Sequence, residues 1–438
     1  MTGAVASPAN DDDNDPGGVD DEVGTVMELE VGRIASGGGC VAPAPDGRVV
    51  FVRHSLPGER VVASVTAVTR SFLRADAVQI LEPSSDRVVP PCVHAGPGRC
   101  GGCDWQHVSL RAQRALKGAL VEEQLRRLAH IDRAVEVEEV AGAPDGLGWR
   151  TRVRFAVDPT GRVGLYRHRS HTVEPIERCP ITSEAIGKLG VGSALWRGAH
   201  HLEVTASPDG GAPVVSVETG RNRLVARPPS GAGLVVNGRT RKRPSRVHFD
   251  VLGHRFEVSP GVFWQIHPGA ATALSRCVLE GLAPQKGERA ADLYSGAGLF
   301  TVPLARGVGA SGSVVAVERS GRATSDAARN TEGLTQVEIV RAAVSPSTVE
   351  GRLGSPDVVV LDPAREGAGR AVMESLMALA PPPRRVAYVS CDPASFARDL
   401  KVALDAGWTL GSLRAFDLFP MTEHVELVGV LEPPGAEG

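Results

Sequence analysis

No stretch of this sequence approaches the roughly 18 consecutive apolar residues of a membrane helix, and no basic-then-apolar leader opens it, so a soluble cytoplasmic protein is expected. Cysteine is sparse. The 438 residues hold 7, an odd number unevenly spread, which excludes the disulfide framework of a small secreted domain and favours thiol or metal chemistry in a reducing compartment. Lys and Arg are absent from the first 22 residues, where Asp11, Asp12, Asp13, Asp15, Asp20, Asp21 and Glu22 stand among glycines, the composition of a disordered acidic tail over residues 1–24. These acids exceed the whole net charge of -3, which leaves the folded body mildly basic. The chain is too long for one ordinary core, and two or three domains are expected.

Beyond the tail the sequence alternates like short strands: "VMELEVGRI", "RVVFVRH", "RVVASVTAV" and "FLRADAVQIL", separated by "SGGGC", "PDG" and "LPGE". The pattern predicts a small OB-like barrel over residues 25–85, a fold that binds oligonucleotides on one face or serves as a plain structural module. The next segment carries "PPCVHAGPGRCGGCDWQH", in which Cys92, Cys100 and Cys103 are spaced C-x7-C-x2-C. The glycines permit a bend that points two thiolates at one ion or cluster. Cys179 in "ERCPI" is the best fourth ligand, because Cys40 sits in a barrel turn and Cys277 in an amphipathic helix. Spacing alone leaves zinc and an iron-sulfur cluster both open. A helix is expected over 110–129. The mixed segment that runs to residue 258 contains Arg239, Arg241, Lys242, Arg243 and Arg246, a solvated face or a nucleic-acid surface.

From residue 289 strand and helix alternate regularly, which predicts a doubly wound parallel sheet with its ligand beyond the carboxyl ends of the strands. Those ends carry chemistry. Asp292 closes the first strand before "YSGAGLF", where Gly296 and Gly298 let the backbone turn tightly against a ligand. The third glycine of the dinucleotide fingerprint is missing, while Glu318 ends the second strand in position to accept both hydroxyls of a ribose; S-adenosylmethionine, with no pyrophosphate to cradle, suits this loop better. Asp362 and Arg365 follow a third strand and Cys391 a fourth. Asp392 is placed to cap a helix opening at Pro393. Cys391 therefore lies at a helix N-terminus that favours its thiolate, with the charge of Asp392 working in the opposite sense. Glu426 begins the last strand, where it is either a surface residue or a base.

Taken together, "CGGCDWQH", "ERCPI", "FWQIHPGA", "DLYSGAGLF", "DPAREG", "YVSCDPASFARDL" and "FPMTEHVE" stand in family order across about residues 25–432, and the chain resembles the RNA 5-methyluridine methyltransferases that carry a TRAM domain. The resemblance implies a TRAM barrel over 25–85, a mixed α+β middle domain over 86–258 whose helix near 110–129 packs on the catalytic part, and a Rossmann-like class I methyltransferase domain over 259–438. It also implies a 4Fe-4S cluster on Cys92, Cys100, Cys103 and Cys179. Gln265, Tyr294, Gly296, Glu318 and Asp362 would line the cofactor or base pocket, with Cys391 as nucleophile and Glu426 as base. The expected substrate is a uridine in RNA, with ribosomal RNA favoured and transfer RNA open, and the expected protein is a monomer away from membranes.

Other readings explain less. Methyl transfer to an exocyclic amine leaves Cys391 and Glu426 unused, radical chemistry needs a C-x3-C-x2-C triplet that is missing, and a non-catalytic RNA binder has no use for the nucleophile, base and cofactor loop.

Overall fold

The computed structural model describes residues 22–220, 224–226 and 228–435, so the expected tail lies outside the described residues up to residue 21. The chain divides into two compact units, Met1–Val88 and Val89–Gly438.

In the first unit β1 (Val26–Glu30), β2 (Cys40–Pro43), β3 (Val49–Arg53), β4 (Arg60–Val68) and β5 (Phe72–Glu82) form one sheet in the order β1-β4-β5-β3-β2. Buried and exposed positions alternate along β4, as a half-buried strand requires. Three register shifts between β4 and β5 bend these long strands. Beyond β1, Gly32 N donates to Val41 O at 2.7 Å and Val41 N to Arg33 O at 3.0 Å, which joins the two ends of the sheet into an OB-like barrel. The sequence pattern contains four of these strands. The fifth, β2, starts at Cys40 inside a glycine-rich stretch that reads as a turn.

The second unit opens with α1 (Leu110–Gln124), which Ser109 caps by accepting from Ala112 N at 3.3 Å. The helix expected to run evenly to residue 129 widens into a π-turn over Leu125–Ala129 and stops at His130 in the left-handed region. β6 (Val137–Glu139) follows. A seven-stranded sheet is then built from β7 (Arg152–Val157), β8 (Val163–Tyr166), β9 (Val173–Pro175), β10 (Ala199–Thr205), β11 (Val214–Thr219), β12 (Gly233–Val236) and β13 (Arg239–Lys242), with the short helix α2 (Glu184–Gly187) between β9 and β10. Its core gathers Phe155, Trp196 and Leu202. Every residue of the edge strand β13 is exposed. A hairpin of β14 (Val247–Val251) and β15 (His254–Val258) leads to α3 (Ala270–Leu282).

The remaining elements are β16 (Arg289–Leu293), α4 (Thr301–Val308), β17 (Ser313–Glu318), α5 (Gly321–Asn330), β18 (Val337–Arg341), α6 (Pro346–Arg352), β19 (Val358–Leu361), α7 (Arg370–Met377), β20 (Arg385–Ser390), α8 (Pro393–Asp405), β21 (Thr409–Asp417) and β22 (Glu426–Glu432). They form a sheet in the order β18-β17-β16-β19-β20-β22-β21-β6. The first five strands are parallel, and β19 is buried at all four residues because helices cover both faces. β22 runs antiparallel to both β20 and β21. This is the expected α/β architecture, with the switch in strand order between β16 and β19.

The first part of this unit is built into the eight-stranded sheet. β6 adds to its edge parallel to β21. Lys117 and Gln113, two wholly buried polar residues of α1, reach the segment after β21. Lys117 Nζ donates to Asp417 Oδ1 at 2.5 Å and to Phe419 O at 3.0 Å, and Gln113 Oε1 accepts from Met421 N at 2.7 Å. Replacing Lys117 by Met leaves the Asp417 carboxylate buried without its cation, which should destabilise this unit by about 3–5 kcal/mol. Lys117→Met/Asp417→Leu should recover most of that loss in denaturant unfolding; a single variant as stable as the wild type would show that the pair does not hold the helix to the sheet.

Candidate active site

A parallel sheet delivers the ends of its strands to one edge, and here it delivers most of the residues singled out in the sequence. Asp292 is the penultimate residue of β16, wholly buried, with Oδ2 accepting from Thr301 Oγ1 at 2.5 Å and Oδ1 without a partner among the described residues. Tyr294 follows with φ 63, a left-handed conformation costly for a bulky residue and worth noting beside a candidate site. Gly296 and Gly298 also have positive φ, 55 and 91, which explains why glycine stands at both places. Glu318 at the end of β17 is held by its own loop: Oε2 accepts from Gly296 N at 3.2 Å and Oε1 from Ser320 N at 2.6 Å. Asp362 follows β19. Its backbone N donates to Leu293 O at 3.3 Å, which fixes the two strand ends together.

The antiparallel strand supplies the last member. Ser390 pairs with Leu427, so Cys391 and Glu426 are the next residues along at this same edge, close enough for the Glu426 charge to act on the Cys391 thiol. Asp392 is the N-cap of α8, accepting from Ser395 N at 2.7 Å, with Pro393 opening the helix. Gln265 lies on the wall of a small cavity bounded by Arg152, Glu203, Phe249 and Trp264.

The electrostatics are those of crowded, desolvated acids. Burial pushes the Asp292 carboxyl up to about 7, helped by the charges of Asp362 and Glu318 and opposed by Thr301. Asp362 is likewise pushed up to about 7 by burial. Glu426 is raised well above the usual carboxylate range, by burial first and by Asp362 next, with Arg365 opposing. The Cys391 thiol is raised as well, by burial first and then by Glu426, Asp362 and Asp392, with Arg365 opposing. The helix N-terminus therefore does not leave a free thiolate, as the sequence pattern favoured. Desolvation beside three carboxyl groups outweighs the helix end.

The four cysteines Cys92, Cys100, Cys103 and Cys179 are free thiols gathered from two stretches. Gly102 N donates to Cys100 Sγ at 3.4 Å, and a Cβ on Gly101 would stand 2.8 Å from His168 Cα, so the knuckle packs directly on the backbone after β8. Burial is the main cause that raises the thiols of Cys100 (to about 11), Cys103 and Cys179, and the neighbouring cysteines add to each. Among the described residues no group of three or more His, Cys, Asp or Glu side chains is arranged to hold a metal ion. Cys103 and Cys179 pack against Met421 and Trp149, and Trp105 N donates to Met421 O at 2.9 Å, so the cysteine segment touches the strap leading to Glu426.

Comparison with known proteins agrees with this architecture. The TRAM domain family model matches residues 20–78. An uncharacterised RNA methyltransferase of Streptomyces coelicolor is 46% identical over 94% of this chain and 93% of its own length, and one of Bifidobacterium longum is 35% identical over 93% and 97%. The chain belongs to this RNA methyltransferase family. Among solved structures, the Pyrococcus abyssi tRNA (uracil-54, C5)-methyltransferase in complex with S-adenosyl-L-homocysteine is similar with a TM-score of 0.68, over 92% of this chain and 99% of that one; at 23% identity this is a likeness of fold.

Three further residues belong to this edge and to the strap that leads to it. Thr301 is the hydroxyl partner of Asp292, Gln113 anchors Met421, and His424 accepts from Arg365 Nη2 at 3.0 Å through Nε2. Only His424, two residues before Glu426 in "MTEHVE", has a local signal.

The buried Asp292 makes the stability of the methyltransferase depend on pH in a definite sense. Folded, it holds its proton up to about 7, while an unfolded aspartate releases it near pH 3.9. Its contribution is complete below the lower value and is lost as pH rises through the upper one. Asp292→Asn cannot titrate, so the stability of the ligand-free variant minus that of the wild type should increase by about 3 kcal/mol between pH 4 and pH 8. Thermal or denaturant unfolding at the two pH values checks this; a difference that does not change with pH would show that Asp292 is ionised throughout.

Proposed function

We propose that this RNA methyltransferase transfers a methyl group from S-adenosylmethionine to carbon 5 of a uridine in RNA through a covalent bond between Cys391 and the base. The observation that carries the reading is the placing of Cys391 close to Glu426 at the edge that also holds Asp292, Glu318 and Asp362. The likeness to the Pyrococcus abyssi tRNA (uracil-54, C5)-methyltransferase supports it. Carbon 5 of uracil is a poor nucleophile, and the Cys391 sulfur, adding at carbon 6, turns the ring into an enolate that is a good one. S-adenosylmethionine supplies the methyl electrophile. Glu426 then takes the carbon 5 proton, the carbon 5–carbon 6 double bond re-forms and the Cys391 thiolate leaves. A carboxyl already raised by burial is a better proton acceptor once ionised than an exposed one. Glu318, its oxygens fixed by Gly296 N and Ser320 N, is assigned to ribose hydroxyls, Asp292, Tyr294 and Gly298 to the rest of the cofactor pocket, and Gln265 and Asp362 to the cofactor or the base.

Cys92, Cys100, Cys103 and Cys179 fit a 4Fe-4S cluster on this account. The desolvated thiols of Cys100, Cys103 and Cys179 would be costly anions beside one another, and the positive charge of a cluster would remove that cost. The group would tie the "CGGC" knuckle to the "ERCPI" turn. RNA is assigned to the TRAM barrel and to the basic strand β13, which would hold the nucleotides around an extruded uridine. Ribosomal RNA is the favoured substrate, and the transfer RNA on which the Pyrococcus abyssi enzyme acts makes that class the alternative. The enzyme is read as a cytoplasmic monomer.

The two reacting side chains act at different steps. Cys391→Ala should bind RNA and S-adenosylmethionine yet give neither adduct nor product, while Glu426→Gln should methylate once and stall as a protein–RNA complex that survives denaturation. Denaturing gels with labelled RNA and nucleoside analysis decide the matter: methylation of carbon 5 by Cys391→Ala would refute the covalent route, and free turnover by Glu426→Gln would place the base elsewhere.

Anaerobically purified protein should be brown and carry close to the iron of one cluster per chain. Stoichiometric zinc without iron would overturn the cluster and keep the four-cysteine site.

A further inference from the structure

Arg365 stands just past the end of β19, beside the strand end that carries Cys391, and it reaches the strap two residues before Glu426. Among the described residues, Glu426, Asp362 and Asp392 oppose the ionisation of Cys391, and Arg365 favours it. Around Glu426 the arrangement repeats, with Asp362 on one side of the balance and Arg365 on the other. The guanidinium is exposed, and a long side chain at a surface would ordinarily be free to swing away. Here it is tethered. Arg365 Nη2 donates to His424 Nε2 at 3.0 Å. His424 is fixed in turn by the strap: its ring meets Phe419 edge-on at 6.2 Å, and its backbone N donates to Thr422 Oγ1 at 3.3 Å, which itself donates to Phe419 O at 2.8 Å. Burial pushes this imidazole down to about 3, and the cations Arg365, Lys117 and Arg150 push it the same way. It is therefore neutral, and Nε2 is free of a proton and able to accept.

We infer that Arg365 is a positioning residue of the methyltransferase, its guanidinium held by His424 as the counter-charge to the two reacting side chains, Cys391 and Glu426. The role rests on the covalent reading above and adds to it what the reacting pair lacks. A thiol in a desolvated acidic corner must lose a proton before it can attack, and the guanidinium is the group that offsets the developing charge. The tether crosses between two loops, the one after β19 and the one before β22, so the same hydrogen bond that aims Arg365 also holds the strap carrying Glu426 against the rest of the edge.

The test is the pH dependence of Cys391 alkylation by iodoacetamide in the intact protein, read by mass spectrometry of the peptide that contains Cys391. Arg365→Met should react about tenfold more slowly at pH 8, with its midpoint moved to higher pH, and Arg365→Lys should regain most of the rate. His424→Leu, which frees the guanidinium, should be slowed several-fold, and His424→Gln, which restores an accepting oxygen, should react nearly as the wild type does. An unchanged alkylation profile in Arg365→Met, or no recovery in Arg365→Lys, overturns the inference. So does an Arg365→Met protein that binds RNA weakly while its thiol reacts normally, since that would make Arg365 a phosphate contact only. Because alkylation needs no RNA, these outcomes are separate from failure of the covalent reading, which would show as a wild-type protein that forms neither adduct nor 5-methyluridine.

Discussion

The candidate site depends on one strand running against its neighbours. Parallel strands bring only their carboxyl ends to the ligand edge, so a purely parallel sheet would offer Asp292, Glu318, Asp362 and Cys391 there and nothing that starts at that level. β22 lies beside β20 in the opposite sense, which puts its first residue, Glu426, at the edge where β20 ends. Backbone register thus sets the spacing of the two groups assigned to the chemistry, and side-chain flexibility has little part in it. The strand is buried over nearly its whole length, so its register cannot slip by one residue without turning apolar side chains onto the wrong face.

That geometry gathers acids where water is scarce. Asp292, Asp362 and Glu426 all hold their protons more tightly than ordinary carboxyls, and the cause in each case is burial before anything else. The protein tolerates this strain at the edge because the interior beneath it is uniformly apolar, from Val358 to Leu361 in the centre and across the flanking strands. A cationic ligand would relieve the same repulsion, and the cost of keeping the acids together without one is a measure of how strongly the edge attracts it.

Much of this was legible in the sequence, for a physical reason. In a doubly wound sheet the end of a strand is both a local signal and a fixed place in space, so Asp292, Glu318, Asp362 and Cys391 could be assigned to one edge from their positions alone. The cap by Asp392 and the turn at Gly296 and Gly298 are equally local. What could not be read were relations across long separations: the register of β22 on β20, the docking of β6 beside β21, and the anchoring of Met421 by Gln113, 308 residues earlier. The direction of the Cys391 shift was missed for the same reason, since a helix end is visible in the sequence and the burial around it is not. In the barrel, β2 is short and begins straight after three glycines, and its pairing with β3 is what marks it as a strand.

The link between α1 and the strap after β21 bears on the order in which the molecule can come into being. Lys117 and Gln113 leave the ribosome about three hundred residues before Asp417 and Met421 do, and until then the Lys117 ammonium lacks its carboxylate and Gln113 has only its local partners, Trp105 O and Val108 O. β6 waits in the same way for β21, its partner in the sheet. The barrel and the seven-stranded sheet are complete in sequence well before that point. The edge of the candidate site is closed only when β22, which follows every other strand of its sheet, has been made and has paired with β20.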